Sequence, residues 1–300
     1  MWIRKVAVVV LLSLIAASVS AVAPATTSAS QSIRKLLGSG EEASLDRAIE
    51  LGEAEVERTP DSAEAHYWLG AAYGRRAQIA NMFSAAGYAR KVKAEFLRAV
   101  ELDPRHVEAQ LGLVQFYLQA PGFMGGDVEE AKRVVEELGK IDPVAGHRGR
   151  ASLKFSEKDR PGAIAEWLAA LKLDAANPDV LPMVVGVLAQ EQRLPELEPI
   201  VVAAVQKDPG HPVVRYQAGK FAALSGKQLT EGLAHLDALL ALPTAPEGVS
   251  LAGAHWRRGQ ILSHLKRHAE ALAATQQAAS LEPGSEEIKK SLEVLSKAAP

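Results

Sequence analysis

Cysteine is absent from all 300 residues, which removes disulfide frameworks, cysteine-ligated zinc, iron–sulfur clusters and thiol catalysis together. Aromatic side chains are scarce at 5%. With Ala, Leu and Glu abundant, that scarcity leans towards helices, because sheets draw on aromatic and β-branched residues. A surplus of either charge is missing as well: 34 Lys and Arg stand against 36 Asp and Glu, a formal net of −2. No basic excess argues for nucleic acid, and no acidic block argues for a polycationic partner. What is present, 48% hydrophobic and 23% charged residues, is ordinary core-forming composition for one large domain or two.

The first residues read as an address. Arg4 and Lys5 precede an apolar run, Val6 to Ala17, and then the small residues of 18–23, the layout of a secretory signal. Val19-Ser20-Ala21 places small residues where a signal peptidase reads, so cleavage is expected after Ala21, leaving 279 residues from Val22. An uncleaved membrane anchor is the alternative, since Val6 to Ala23 is 18 residues long, at the lower edge of a bilayer span. No stable membrane span is expected once the signal is removed. Residues 22–40, rich in Ala, Thr and Ser at their start, read as a flexible spacer.

Beyond the spacer a period runs through the chain. A helical segment ends repeatedly in an acidic or polar residue followed by proline or a close variant, with repeat ends near Pro60, Pro104, Pro143, Ala175, Pro209, Pro243 and Pro283. The spacings are 44, 39, 32, 34, 34 and 40 residues. Within one repeat, His66-Tyr67-Trp68-Leu69-Gly70-Ala71-Ala72-Tyr73 is followed by Phe96, Ala99 and Pro104. The second-helix pattern recurs as Ala131, Val135, Leu138 and Pro143, as Ala163, Trp167 and Ala170, and as Ala271, Thr275, Ala278 and Pro283. Small residues at these steps let two helices approach, and the proline stops the second helix before the next repeat.

In these features the chain resembles the tetratricopeptide repeat family, of the exported bacterial type, over residues 41–298. The resemblance implies an all-α fold: a right-handed superhelical solenoid of antiparallel helix pairs, about six repeats with a half-repeat at 45–58 in front and a capping helix over 285–297 behind. First helices are expected at 63–75, 107–118, 145–156, 179–190, 213–224 and 250–265. Pro182, Pro195 and Pro199 depart from the pattern; Pro195 and Pro199 are expected at a turn and a first helical position.

Two insertions stand out. The long first spacing lengthens both helices around Asn81-Met82-Phe83-Ser84, so that hairpin should project. The next holds the loop Pro121-Gly122-Phe123-Met124-Gly125-Gly126-Asp127, whose Asp127 can cap a helix from Val128. Phe123 and Met124 either cover a ligand or partner, or fill a gap beneath the neighbouring hairpin.

Motifs for catalysis are missing: there is no G-x-S-x-G, G-x-G-x-x-G, P-loop or H-E-x-x-H. His264 and His268 are spaced to share a helix face, but the repeat pattern places them in different helices with Lys266 and Arg267 between. Neither cofactor nor metal nor enzymatic activity is expected. In the resembled family the first helix of each pair lines a concave groove, which would show Tyr67, Arg75, Gln115, Arg148, Tyr216, Lys220, Trp256 and Gln260. Aromatic bodies beside cations suit a peptide or protein partner, although Tyr67, Tyr216 and Trp256 would equally serve as packing between repeats. Ala71, Gln115 and Gly186 stand where the family's carboxylate clamp takes Asn. The expectation is an exported, periplasmic interaction scaffold, with self-association as its rival.

Overall fold

The computed structural model describes residues 28–298, so the expected signal and its cleavage point lie outside the described residues. Among those residues helix follows helix, and there is no strand. The chain divides after Leu173 into two compact units, next to the repeat end read near Ala175.

In the first unit the helices are α1 (Ser28–Ser39), α2 (Glu42–Arg58), α3 (Ala63–Ile79), α4 (Met82–Leu102), α5 (Val107–Gln119), α6 (Val128–Ile141), α7 (Pro143–Ser156) and α8 (Arg160–Leu173). Each odd-numbered helix packs against the even one that follows it, and α1, α3, α5 and α7 also pack on one another in succession. Part of the expected flexible spacer is therefore a helix. Ile33 and Leu37 lie one turn apart and are 1% and 8% exposed, joining the core formed by Leu45, Ile49, Trp68 and Leu69. Burying both in one stripe supplies what a polar, Ser-rich segment lacks in propensity. The expected half-repeat at 45–58 thus has its missing partner.

The aspartate–proline signature has a local cause at Asp142. Its backbone N–H donates to Leu138 O at 2.8 Å and closes α6, while its side chain accepts from Ala145 N at 3.0 Å and opens α7. Pro143, at the first turn of α7, loses nothing because that N–H has no helical acceptor. One side chain ends one helix and starts the next.

In the second unit the helices are α9 (Val180–Gln190), α10 (Leu194–Lys207), α11 (Pro212–Ser225), α12 (Leu229–Leu240), α13 (Leu251–His264), α14 (His268–Leu281) and α15 (Glu286–Ala298). The pairing continues, with α9 on α11, α11 on α13, and α15 against α14 as the final helix. Seven helix pairs and a terminal helix make up the described residues. Pro195 sits in the first turn of α10 as expected, but Pro199 lies inside the helix. Its missing N–H falls on the carbonyl of Pro195, four residues back, so the cost is taken at the end of the first turn.

Two glycines show why the Leu-Gly step recurs. A Cβ on Gly70 would stand 2.7 Å from the Phe96 ring, and one on Gly219 would stand 2.3 Å from Leu236 Cγ. In both cases the second helix of the pair presses a large side chain onto the bare backbone of the first. Phe96 and Leu236 are 6% and 0% exposed.

The projecting hairpin is present: α3 and α4 run 17 and 21 residues, with Asn81 capping α4 at Ser84 N, 3.1 Å. Its tip leaves Ile79, Met82 and Phe83 exposed, Phe83 at 91%.

Candidate functional site

The helices α1, α3, α5 and α7 of the first unit carry a connected set of charged and aromatic side chains. The Arg34 guanidinium lies 4.9 Å over the Trp68 ring. Trp68 Nε1–H donates to Glu64 Oε1 at 2.6 Å, and the His106 Nε2 ring nitrogen lies 3.2 Å from Glu64 Oε2. Arg148 Nη1 donates to Glu108 Oε1 at 3.2 Å. Burial alone would raise the Glu64 carboxyl; the hydrogen bonds of His106 and Trp68, with the charges of His106 and Arg34, outweigh it and hold it below its ordinary value. In this unit every cation of the set has a carboxylate within reach of its field.

Beneath these charges lies Tyr67, 9% exposed. It stacks on Phe96 at 6.0 Å and meets Trp68 and His106 at 5.0 and 5.2 Å. Burial, then the fields of Glu108 and Glu64, push its phenol upward. Tyr67 therefore stands as core between two repeats. Arg75 donates to Gln78 Oε1 at 2.7 Å along its own helix, and Gln115 is half-buried on α5.

The loop after α5 splits its two apolar residues. Met124 packs against the first unit's core, whereas Phe123 is 79% exposed. A single 3-10 turn, Gly122–Met124, and a left-handed Gly125 produce this separation. Asp127 then caps α6 by accepting from Glu129 N and Glu130 N at 3.0 and 3.2 Å.

In the second unit α11 and α13 bring Tyr216, Lys220, Trp256 and Gln260 together, and add Arg257, which the sequence reading passed over. The Tyr216 hydroxyl reaches α13 and is hydrogen-bonded to Arg257; a Cβ on Gly253 would stand 2.6 Å from it. Arg257 lies 4.1 Å over the Trp256 ring and donates from Nη1 to Gln260 Oε1 at 2.8 Å. Trp256 also faces the terminal helix, donating from Nε1 to Ser291 Oγ at 2.9 Å and packing with Ala252, Ala278 and Ile288. Burial, then the Arg257 charge, push the Lys220 ammonium down to about 8. Next to Gln260 an open cavity of about 550 Å³ lies among α13, α14 and α15, lined by Gly259, His264, Thr275, Ser291 and Leu295.

The histidines divide between structural tasks. His66 Nδ1 lies 2.6 Å from Glu95 Oε2 and His147 Nδ1 lies 2.7 Å from Glu166 Oε2, each tying the two helices of one pair. His264 ends α13 and His268 begins α14, and His264 Nε2 approaches Ala223 O at 3.2 Å. Among the described residues no group of three or more His, Asp or Glu is placed to hold a metal ion.

No family model matches the sequence, and no curated protein matches it. Solved structures do. The APC/C hetero-tetramer Cut9–Hcn1 is similar over 91% of this chain and 51% of that one, at 14% identity and a TM-score of 0.52. Yeast Tom70 is similar over 95% of this chain and 60% of its own, at 16% identity and a TM-score of 0.51. A tetratricopeptide repeat protein from Parabacteroides merdae aligns over 88% of this chain and 99% of its own, at 14% identity and a TM-score of 0.43. The chain thus spans between half and three-fifths of the first two structures it matches. Identities this low speak to architecture: with its serial helix pairs closed by Asp-Pro and held at Leu-Gly steps, this chain has the all-α solenoid fold of tetratricopeptide repeat proteins.

Proposed function

We propose that this protein is an exported, non-catalytic interaction scaffold of the bacterial envelope that holds an extended peptide or protein segment along its first helices. The observation that carries the reading is the gathering of Tyr216, Lys220, Arg257 and Gln260 on adjacent first helices, polar groups grouped where an apolar core has no use for them. Peptide binding by solvent-facing polar and aromatic side chains on a rigid helical frame requires no cofactor, and the residues that would do it are held by their neighbours beforehand, which lowers the entropy cost of binding. Export rests on the basic, apolar and small-residue order of residues 1–23, and no helix among the described residues is long and apolar enough to cross a membrane.

The test is selection of peptides from a random dodecapeptide phage library on the chain beginning at Val22, with enriched peptides re-measured against Gln260→Ala and Gln115→Ala variants. Peptides that bind the native chain and lose affinity on either variant support the groove. Enriched peptides indifferent to both variants, or no enrichment, would sink it. Fractionation of cells making the full chain checks the compartment, and a cytoplasmic protein that retains residues 1–21 overturns export.

A second reading, self-association, is favoured by Phe83 and Phe123, exposed at 91% and 79%. It predicts that sedimentation velocity shows concentration-dependent oligomers that Phe83→Ser and Phe123→Ser abolish.

A further inference from the structure

Two cations, Lys220 on α11 and Arg257 on α13, stand close enough that the charge of one acts on the other. Neither makes an ion pair with a carboxylate among the described residues. The partners of Arg257 are neutral: the Tyr216 hydroxyl, the Gln260 amide oxygen and the face of Trp256. Its Nε is buried without a hydrogen-bond partner, as is Oε1 of Gln217 on α11, itself 4% exposed. The contrast with the first unit is sharp in chemical terms, because there Arg148 is bonded to Glu108 and Arg34 lies in the fields of Glu64 and Glu108. Two half-buried like charges without a counter-ion oppose folding, so their retention side by side asks for an anion from outside the chain.

We infer that Lys220 and Arg257 form a binding site for the carboxylate of an acidic side chain, Glu or Asp, of the bound peptide, with the Tyr216 hydroxyl as a third donor. The inference rests on the groove reading and names the chemistry of one of its positions. A guanidinium presents two parallel N–H donors to a carboxylate and an ammonium adds a point charge from the side. Trp256 and Tyr216 shield the pair, which strengthens the attraction over one in open water. A side chain rather than a chain end is expected because the row of first helices continues on both sides of the site, with α9 packed on α11 before it and α15 meeting Trp256 after it. The ionisable groups around Lys220 are Tyr216 on its own helix and Arg257 on the next, with the field of Glu282, after α14, reaching Tyr216.

The assay follows the Lys220 side chain by carbon-detected NMR in the full chain from Val22, labelled at the lysine ε-carbon, as pH is raised from 6 to 11. The probes are N-acetyl-glutamate amide, N-acetyl-glutamine amide and N-acetyl-alanine with a free carboxyl end. Without a probe Lys220 titrates near 8. The glutamate probe should raise that midpoint by about half a unit or more, with saturation, and Arg257→Gln should weaken the probe's binding about tenfold. The glutamine probe should leave it unchanged. An equal response to glutamate and glutamine, or none to either, overturns the anion site. A stronger response to the free chain end than to the side-chain carboxylate overturns the assignment of an acidic side chain. Tyr216→Phe, which keeps the ring, separates loss of a donor from loss of fold. Because the probes are single residues, this titration succeeds or fails independently of the phage selection that tests the groove.

Discussion

At Lys220 a buried ammonium sits against a second cation, and the consequence for stability has a definite sign. Its folded value is pushed from 10.5 down to about 8, so between those values the unfolded chain binds more protons than the folded one, and stability rises with pH across that window. Below about 8 both states are charged and the full penalty is present. Lys220→Met should therefore stabilise the chain at pH 7, by on the order of 1 to 3 kcal/mol, with the gain shrinking towards pH 10.5; urea unfolding at several pH values measures it, and a loss at pH 7 refutes the account. Glu64 runs the other way. Its carboxyl is held below the ordinary 4.5, so its contribution is present above that pH and lost as pH falls through the lowered value. Glu64→Gln should lower Tm at pH 7, and the gap from the native chain should close below about pH 4. Neither residue could be judged from sequence alone. Arg34 fell in an assumed spacer, and Arg257 was hidden beside Trp256, whose ring looked like the better ligand; the missing counter-ion is visible only once α11 and α13 are side by side.

At the scale of helices, most boundaries were legible because they depend on local chemistry. First helices expected at 107–118, 213–224 and 250–265 occur at 107–119, 212–225 and 251–264, where Pro, Ser, His and Asp act within a turn of their own position. Asp142 serves two helices at once, so Asp142→Ala should cost about 1 to 2 kcal/mol, more than an ordinary cap at the low end of that range; loss of helical ellipticity against urea checks it. The helix α1 escaped notice because its Ala, Thr and Ser-rich approach resembles a linker. Its Ile33 and Leu37 find their partners in α2 and α3, which composition does not reveal. Ile33→Ala should cost about 2 to 4 kcal/mol, as for any buried branched side chain, and a variant as stable as the native chain would return these residues to the status of a spacer. Pro199 taught the opposite lesson: a proline that looked like a helix start is tolerated inside α10.

For the molecule, two units follow from packing and not from period, since the repeat pattern passes through residue 173 without a break. A repeat stack transmits strain chiefly to its neighbours. Gly219→Ala forces a methyl into Leu236 and should cost about 1 to 3 kcal/mol, and amide exchange should quicken in α11 to α14 while α3 to α6 keep their protection. Equal loss of protection in both units would show that they unfold as one. The sequence by itself determined that this is an all-helical repeat protein and where most helices start and stop, because capping, Leu-Gly steps and Asp-Pro closures act within a few residues of themselves. Only the tertiary structure decided which aromatics are core and which faces meet solvent. Tyr67, Tyr216 and Trp256 share one register, three residues before Gly70, Gly219 and Gly259, yet Tyr67 is buried under Glu64 and Glu108 whereas Tyr216 reaches a cation on the next helix and Trp256 a serine on the last. Identical positions in a repeat inherit identical backbones, but their burial and charge are set by what the neighbouring repeat places against them.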